Sequence, residues 1–158
     1  ISEITDTHED EICILKSAID DSTPEQLAYC HTRLLELGAA DVYFTPIYMK
    51  KNRPAYELTV LCQPELEQII TETIFQETTA IGLRKTFAKR NIMAREVKPI
   101  QIGSQTIDCK ICTYHHIKKY YVEYESAAKA ARILGESLEE TYRKVYTKIH
   151  DLSKMQDY

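Results

Sequence analysis

Residues 41–62, DVYFTPIYMKKNRPAYELTVLC, constrain this chain more than any other stretch, because apolar residues recur on both sides of a short cationic break. Val42, Phe44, Ile47 and Met49 lead into Lys50, Lys51, Asn52, Arg53 and Pro54. Tyr56, Leu58, Val60 and Cys62 then alternate with Glu57, Thr59 and Leu61 at the period of two that a strand requires. Such a segment folds as a hairpin with its cations at the turn. Crowding Lys50, Lys51 and Arg53 together in a chain of net charge −4 is repulsive unless something anionic sits among them. A bound phosphate would relieve that repulsion. The alternative is a solvated turn whose lysines serve solubility, since exposed ion pairs are worth little.

At 158 residues the chain is long enough for one domain with a small appendage, burying about 68–70% of its unfolded surface. No run approaches the ~20 apolar residues of a membrane span. The opening residues, ISEITDTHED, lack the basic start and apolar stretch of a signal peptide. The expectation is a cytoplasmic protein with no membrane partner. Five cysteines without dense spacing point to free thiols in a reducing compartment. A chain that starts at Ile1 rather than Met reads as a fragment or a processed product. A sequence pI of about 5.8 argues against general nucleic-acid binding.

Residues 11–19 read as a buried strand, with Ile12 and Ile14 alternating against Cys13 and Leu15, and end in Asp20, Asp21 and Ser22. Thr23 is placed as a helix N-cap, Pro24 at the first helical position and Gln26 to complete a capping box. Leu27, Cys30, Leu34 and Leu37 form the apolar stripe, and Gly38 supplies the stop. After the hairpin, a second helix is expected from Pro64, with Leu66, Ile69, Ile70, Thr73 and Ile74 on one face, and a strand over 84–88. Strand, helix, strand, strand, helix, strand folds most simply as a ferredoxin-like α+β sandwich, two helices covering one face of a four-stranded antiparallel sheet. The other face is expected to be buried in an oligomer.

Beyond that core the pattern changes to long hairpins over 90–102, 105–114 and 116–124, turning at Gly103 and Ser104. An alanine-rich helix over 126–134, stopped by Gly135, and a second capping box from Ser137 to Glu140 predict a C-terminal helical pair ending near His150. The expected organisation is a flexible start over 1–10, a ferredoxin-like core over 11–98, a β-hairpin and helical appendage over 99–150, and a flexible tail over 151–158.

Four constellations bear on chemistry. Cys109 and Cys112, followed by His115 and His116, have metal-like spacing, but residues three apart on a strand face opposite sides, which favours packed cysteines over a zinc site. The last two helices resemble a helix-turn-helix, yet Glu139 and Glu140 occupy the end that would meet DNA, so no nucleic-acid partner is expected. Asp20 and Asp21 lie where carboxylates either complement a helix dipole or hold a divalent cation. Thr78, Thr79 and Arg84 bring hydroxyls, loop amides and a guanidinium together, groups that suit phosphate oxygens. With Lys50, Lys51 and Arg53 they form the candidate nucleotide site, and Asp20 and Asp21 the candidate metal site. No catalytic residue stands out.

Four stretches carry a family resemblance: IDDSTPEQL over 19–27, FTPIYMKKNRP over 44–54, LTVLCQP over 58–64 and IFQETTAIGLR over 74–84. The chain resembles, from about Ser17 to Tyr146, the C-terminal domain of the nickel-insertion proteins that mature the nickel-pincer nucleotide cofactor of lactate racemase. The resemblance implies a CTP-dependent nickel chelatase acting with Mg2+ or Mn2+, which places Ni2+ into the pyridinium-3,5-bisthiocarboxylic acid mononucleotide. It also implies that this part of the family binds CTP and oligomerises, as a homo-trimer or hexamer, beside an N-terminal domain not contained in these residues. Ala18, Tyr121 and Ser126 depart from the family's usual Asn, Lys and Asp. Binding of metal-CTP is therefore the expectation for this chain alone. A module of another class, a non-catalytic regulatory scaffold that holds an anionic effector, is the alternative.

Overall fold

The computed structural model of the chain describes residues 7–155 and is an α+β protein. Its elements are β1 (Thr7–Ile19), α1 (Pro24–Glu36), β2 (Asp41–Met49), β3 (Arg53–Cys62), α2 (Glu67–Glu77), β4 (Arg84–Ile102), β5 (Gln105–Tyr114), β6 (Ile117–Val122), α3 (Tyr124–Leu134) and α4 (Leu138–Met155). The hydrogen-bonded strand order is β2-β3-β1-β4-β5-β6. Two compact units result, one spanning Glu9–Asn91 and the other consisting mainly of the chain from Ile92 onward. Of the ends expected to be flexible, residues 7–10 belong to β1 and 151–155 to α4. The remainder, 1–6 and 156–158, lies outside the described residues.

In the first unit α1 begins through its capping box. The Thr23 hydroxyl accepts the Gln26 amide at 3.2 Å, and the Gln26 side chain accepts the Thr23 amide at 2.8 Å. The helix stops where Gly38 turns the chain at φ +94°, a conformation that glycine reaches without steric cost. Leu27, Cys30 and Leu34 bury against Leu15, Leu58 and Val60 and against Ile70 and Ile74 of α2. Each such aliphatic burial contributes roughly 1.5–3 kcal/mol. Register places Leu15 opposite Val60 and Ile19 opposite Tyr56, so one face of β1 and β3 feeds this core. The second helix differs from expectation at its start: Pro64–Leu66 winds as a 3-10 turn before α2 begins at Glu67. No side-chain cap bond holds that start, so the chain tightens through a three-residue turn instead.

The hairpin of β2 and β3 forms as its alternation requires, with Phe44 opposite Leu58 and Met49 opposite Arg53. Lys50–Asn52 make one 3-10 turn at its tip. Lys51 and Asn52 both take left-handed backbone, at φ +60° and +56°. Asparagine visits that region readily; a lysine there costs roughly 1–2 kcal/mol.

β4 is a single strand of 19 residues where the sequence pattern suggested a short strand over 84–88 and a separate one over 90–102. No glycine or proline interrupts Ala88 to Asn91, and Arg90 is pinned mid-strand by Asp10, which it meets through Nε at 2.7 Å and Nη2 at 3.0 Å. Hydrogen bonding from Arg90 holds the Asp10 carboxyl below the usual aspartate range.

The second unit has its own core. Ile100, Ile102, Ile107 and Cys109 pack with Ala127 and Ala130 of α3 and Val145 and Ile149 of α4. Gly135 ends α3 at φ +68°, and the Ser137 hydroxyl accepts the Glu140 amide at 3.1 Å to start α4. α3 starts at Tyr124, two residues earlier than its alanine run suggests, and α4 continues past His150.

Candidate functional site

The site is built where β1 ends. Ile19 pairs with Tyr56 as the last rung between β1 and β3, so Asp20, Asp21 and Ser22 leave the sheet just before the Thr23 cap. Two other segments of the same unit meet them there. From the start of β3, Arg53 Nη1 lies 3.6 Å from Asp20 Oδ2. From the loop after α2, the Thr79 hydroxyl donates a short bond to Asp21 Oδ1, lies 2.9 Å from Ser22 Oγ, and has its amide bonded to Ser22 Oγ at 2.9 Å. Ser17, buried on β1, anchors the same loop by donating to the Gly82 carbonyl at 2.8 Å.

Arg53 and Asp20 are loosely coupled. Their separation exceeds the 2.7–2.9 Å or so of a charge-assisted hydrogen bond, and the Arg53 side chain remains 61% exposed. Its guanidinium therefore keeps donors available to an anion. Lys50 and Lys51, at the exposed tip, have no ion pair among the described residues. The remaining candidates are engaged elsewhere. Thr78 spends its hydroxyl on the Ile74 carbonyl at 2.6 Å and accepts the Ala80 amide at 3.1 Å, which closes the end of α2. Arg84 pairs with Glu57 at 2.9 Å, and Glu57 also faces Lys16 at 3.4 Å. The structure thus gathers Asp20 with Arg53 and Asp21 with Thr79, while Arg84 shares the Glu57 carboxylate with Lys16.

Ser22 and Glu57 were not singled out by sequence reasoning. Ser22 is hidden beside a stronger cap residue, and Glu57 reads only as the polar half of an alternating strand. Nothing in their spacing signals that one faces Thr79 and the other a pair of cations.

Asp20 and Asp21 offer hard carboxylate oxygens, the donors that magnesium or manganese prefer. Among the described residues no cluster of three or more His, Cys, Asp or Glu side chains is placed to hold a metal ion. A cation held by this pair would have to draw its remaining ligands from water or phosphate oxygens. Cys109 and Cys112 are both buried free thiols, and burial raises the Cys109 thiol above its ordinary pKa. His115 sits at the turn between β5 and β6 with its ring against Tyr114.

The chain matches the model of the nickel insertion protein family over residues 1–142. It is 44% identical over 134 residues to the pyridinium-3,5-bisthiocarboxylic acid mononucleotide nickel insertion protein of Acetivibrio thermocellus, covering 85% of this chain and 33% of that protein. A putative nickel insertion protein of Enterococcus faecalis is 40% identical over 140 residues, 89% of this chain and 43% of the relative. The chain thus spans between about a third and two fifths of these relatives' length. Among solved structures it is similar to LarC2, the C-terminal domain of a cyclometallase involved in synthesis of the NPN cofactor of lactate racemase. That likeness has a TM-score of 0.79 at 35% identity and covers 90% of this chain and 99% of the other. A Methanopyrus kandleri protein shares the fold, with a TM-score of 0.68 at 19% identity.

Proposed function

The chain belongs to the nickel insertion protein family, and from that membership we propose that it is the CTP-binding, oligomerising part of a nickel insertase. The whole protein would place Ni2+ into the pyridinium-3,5-bisthiocarboxylic acid mononucleotide with consumption of CTP, nickel being its cargo and the mononucleotide its substrate. The remaining length of the relatives would supply the N-terminal domain. The observation that carries this reading is the meeting of Asp20, Asp21, Arg53 and Thr79 from three separate segments, beside two lysines that have no ion pair among the described residues.

Each group has a role in holding a metal-bound triphosphate. Arg53, Lys50 and Lys51 supply charge-assisted donors to phosphate oxygens, and Arg84 joins them by leaving Glu57. Thr79 orients Asp21 and can offer its hydroxyl to the ligand; Thr78 contributes through the loop it shapes. Asp20 and Asp21 would hold magnesium or manganese together with the phosphates, and the ion, when bound, offsets phosphate charge. Helix and strand order support a ferredoxin-like β1α1β2β3α2β4 core, in which β1 and β3 run centrally and their ends converge on the site. A cytoplasmic homo-trimer or hexamer, with copies covering the open sheet face, completes the reading.

Calorimetric titration of CTP with magnesium tests it. Replacing Lys51 or Arg53 with alanine should weaken binding about tenfold or more, as expected for lost hydrogen bonds to charged groups. A dissociation constant unchanged in both variants would remove the hairpin tip from the site.

A further inference from the structure

The antiparallel strands β4, β5 and β6 of the second unit present two unlike faces. Register puts Ile111 and Tyr120 beside Glu96, and Cys109 and Val122 beside Lys98, on the face that packs against α3 and α4, where Lys98 meets Glu96 at 3.4 Å. The opposite face carries two cross-strand rows, Arg95, Cys112 and Lys119 in one and Val97, Lys110 and Tyr121 in the next. It is open: Val97 is 59% and Tyr121 49% exposed. Arg95, Lys110 and Lys119 have no ion pair among the described residues. Neither row contains a carboxylate; Asp108 enters only in the row beyond, opposite Pro99.

Strand spacing fixes the size of this cationic patch. Arg95 and Lys119 are separated by two strand spacings, about 10 Å at ~4.8 Å each, and Lys110 stands one strand across and two residues along from both, about 8 Å away. Cys112 is short and only 7% exposed, so its row is low in the middle and long-armed at either end. Tyr121 follows Lys119 by two residues on β6 and borders that trough from the next row. Three cations around a shallow trough with an exposed ring suit a flat ligand whose anionic groups spread in several directions. A polyphosphate, whose charge runs along one line, would meet them less well.

We propose that this sheet face binds the pyridinium mononucleotide that receives the nickel, with Arg95, Lys110 and Lys119 taking its anionic groups and Tyr121 its ring. The inference rests on the nickel-insertase reading above and gives its substrate a site on residues separate from those of the nucleotide site. A pyridinium-3,5-bisthiocarboxylic acid mononucleotide carries two thiocarboxylates and one phosphate around a positively charged ring. The cations therefore match its anionic groups in number, and the ring gains from the negative face of a tyrosine. Nucleic acid shares the phosphate and the flat ring, but a chain of net charge −4 lacks the general positive field that such a polymer needs.

Calorimetric titration of the 158-residue chain tests the face with three probes. They are pyridinium-3,5-dicarboxylic acid mononucleotide, in which oxygen replaces sulfur, nicotinic acid mononucleotide, which lacks one carboxylate, and ribose 5-phosphate, which lacks the ring. Affinity should fall in that order, by about tenfold at each step. Arg95→Ala and Lys119→Ala should each weaken the dicarboxylate about tenfold while leaving CTP affinity in magnesium unchanged, and Arg53→Ala should do the reverse. Unchanged CTP binding also shows that the variants are folded. Tyr121→Ala should erase the preference for nicotinic acid mononucleotide over ribose 5-phosphate, and Tyr121→Phe should keep it. The site is overturned if the dicarboxylate does not bind, or if the three probes bind alike. It is overturned equally if tripolyphosphate binds as tightly as the dicarboxylate and depends as much on Arg95, the mark of a general polyanion surface. A parent chain that binds the dicarboxylate but not CTP would break the nucleotide reading and leave this face standing.

Discussion

Two cationic clusters, one in each unit, are treated in opposite ways. On α4 the cations are matched: Arg143 binds Glu140 through two bonds at 2.9 and 2.6 Å, Lys144 bonds Glu136, and Lys148 donates to the Gln101 carbonyl at 2.6 Å. At the β2-β3 tip, Lys50 and Lys51 have no ion pair among the described residues, and Arg53 has only a long one. The α4 cluster is a satisfied structural network. The tip carries uncompensated charge, and Lys51 does so from a left-handed backbone that costs stability. Unmatched charge at a strained position is what the proposed nucleotide site would use, whereas the matched charge serves the fold.

The largest expected effect breaks or confirms that contrast directly. Arg53→Ala should weaken CTP about tenfold or more, while Arg143→Ala leaves CTP affinity unchanged. Equal losses in both variants, read by calorimetry, would erase the distinction between the clusters. Next in size are the carboxylates. Asp20→Asn and Asp21→Asn should weaken CTP in magnesium and matter little once the metal is chelated. Should they act only on the dipole of α1, they would instead lower stability by the ~0.3–1 kcal/mol usual for such charges and leave metal-dependent binding alone.

The two helix caps offer a finer comparison. Thr23→Ala and Ser137→Ala should each cost about 1 kcal/mol in denaturant unfolding. Only the first should also weaken CTP, because Thr23 fixes the exit of Asp21 and Ser22 toward Thr79. Lys51→Gly separates stability from binding: it relieves the left-handed strain and should raise the melting temperature slightly, yet lower CTP affinity. A drop in both would deny the trade.

The smallest effect is a pH dependence in the matched cluster. Hydrogen bonding from Lys144, and then from Thr141, holds the Glu136 carboxyl below its ordinary value of 4.5. A depressed carboxyl contributes stability above its unfolded pKa and loses it as pH falls through the folded one. Glu136→Gln should therefore flatten the loss of stability below about pH 4.5, while the hairpin-tip lysine variants leave that acid limb unchanged. Buried thiols act at the other end of the scale. Burial pushes Cys30 and Cys62 up to about 11, so their contribution holds below the unfolded thiol range and fades as pH rises through that value.

Local chemistry was legible from the residues alone. The Thr23 capping box, the stops at Gly38 and Gly135 and the alternation of Tyr56, Leu58, Val60 and Cys62 each depend on neighbours a few positions away, and each took the form its spacing required, while at Ser137 the hydroxyl caps the amide of Glu140, whose carboxylate binds Arg143. The family was legible too, because the hairpin tip and the loop after α2 are long and unusual strings. Tertiary structure decided what those signals could not reach. It ran β4 through Ala88 without a break, because Asp10, 80 residues away in sequence, holds Arg90 in line. It gave Arg84 to Glu57, closed α2 with the Thr78 hydroxyl, and joined Asp21 to Thr79 across a separation of 58 residues. Caps and periodicity are fixed by bonds within a turn or a strand. Which carboxylate meets which cation follows from strand register and helix crossovers, and those are set only when the core of Leu15, Leu34, Leu58 and Ile70 closes.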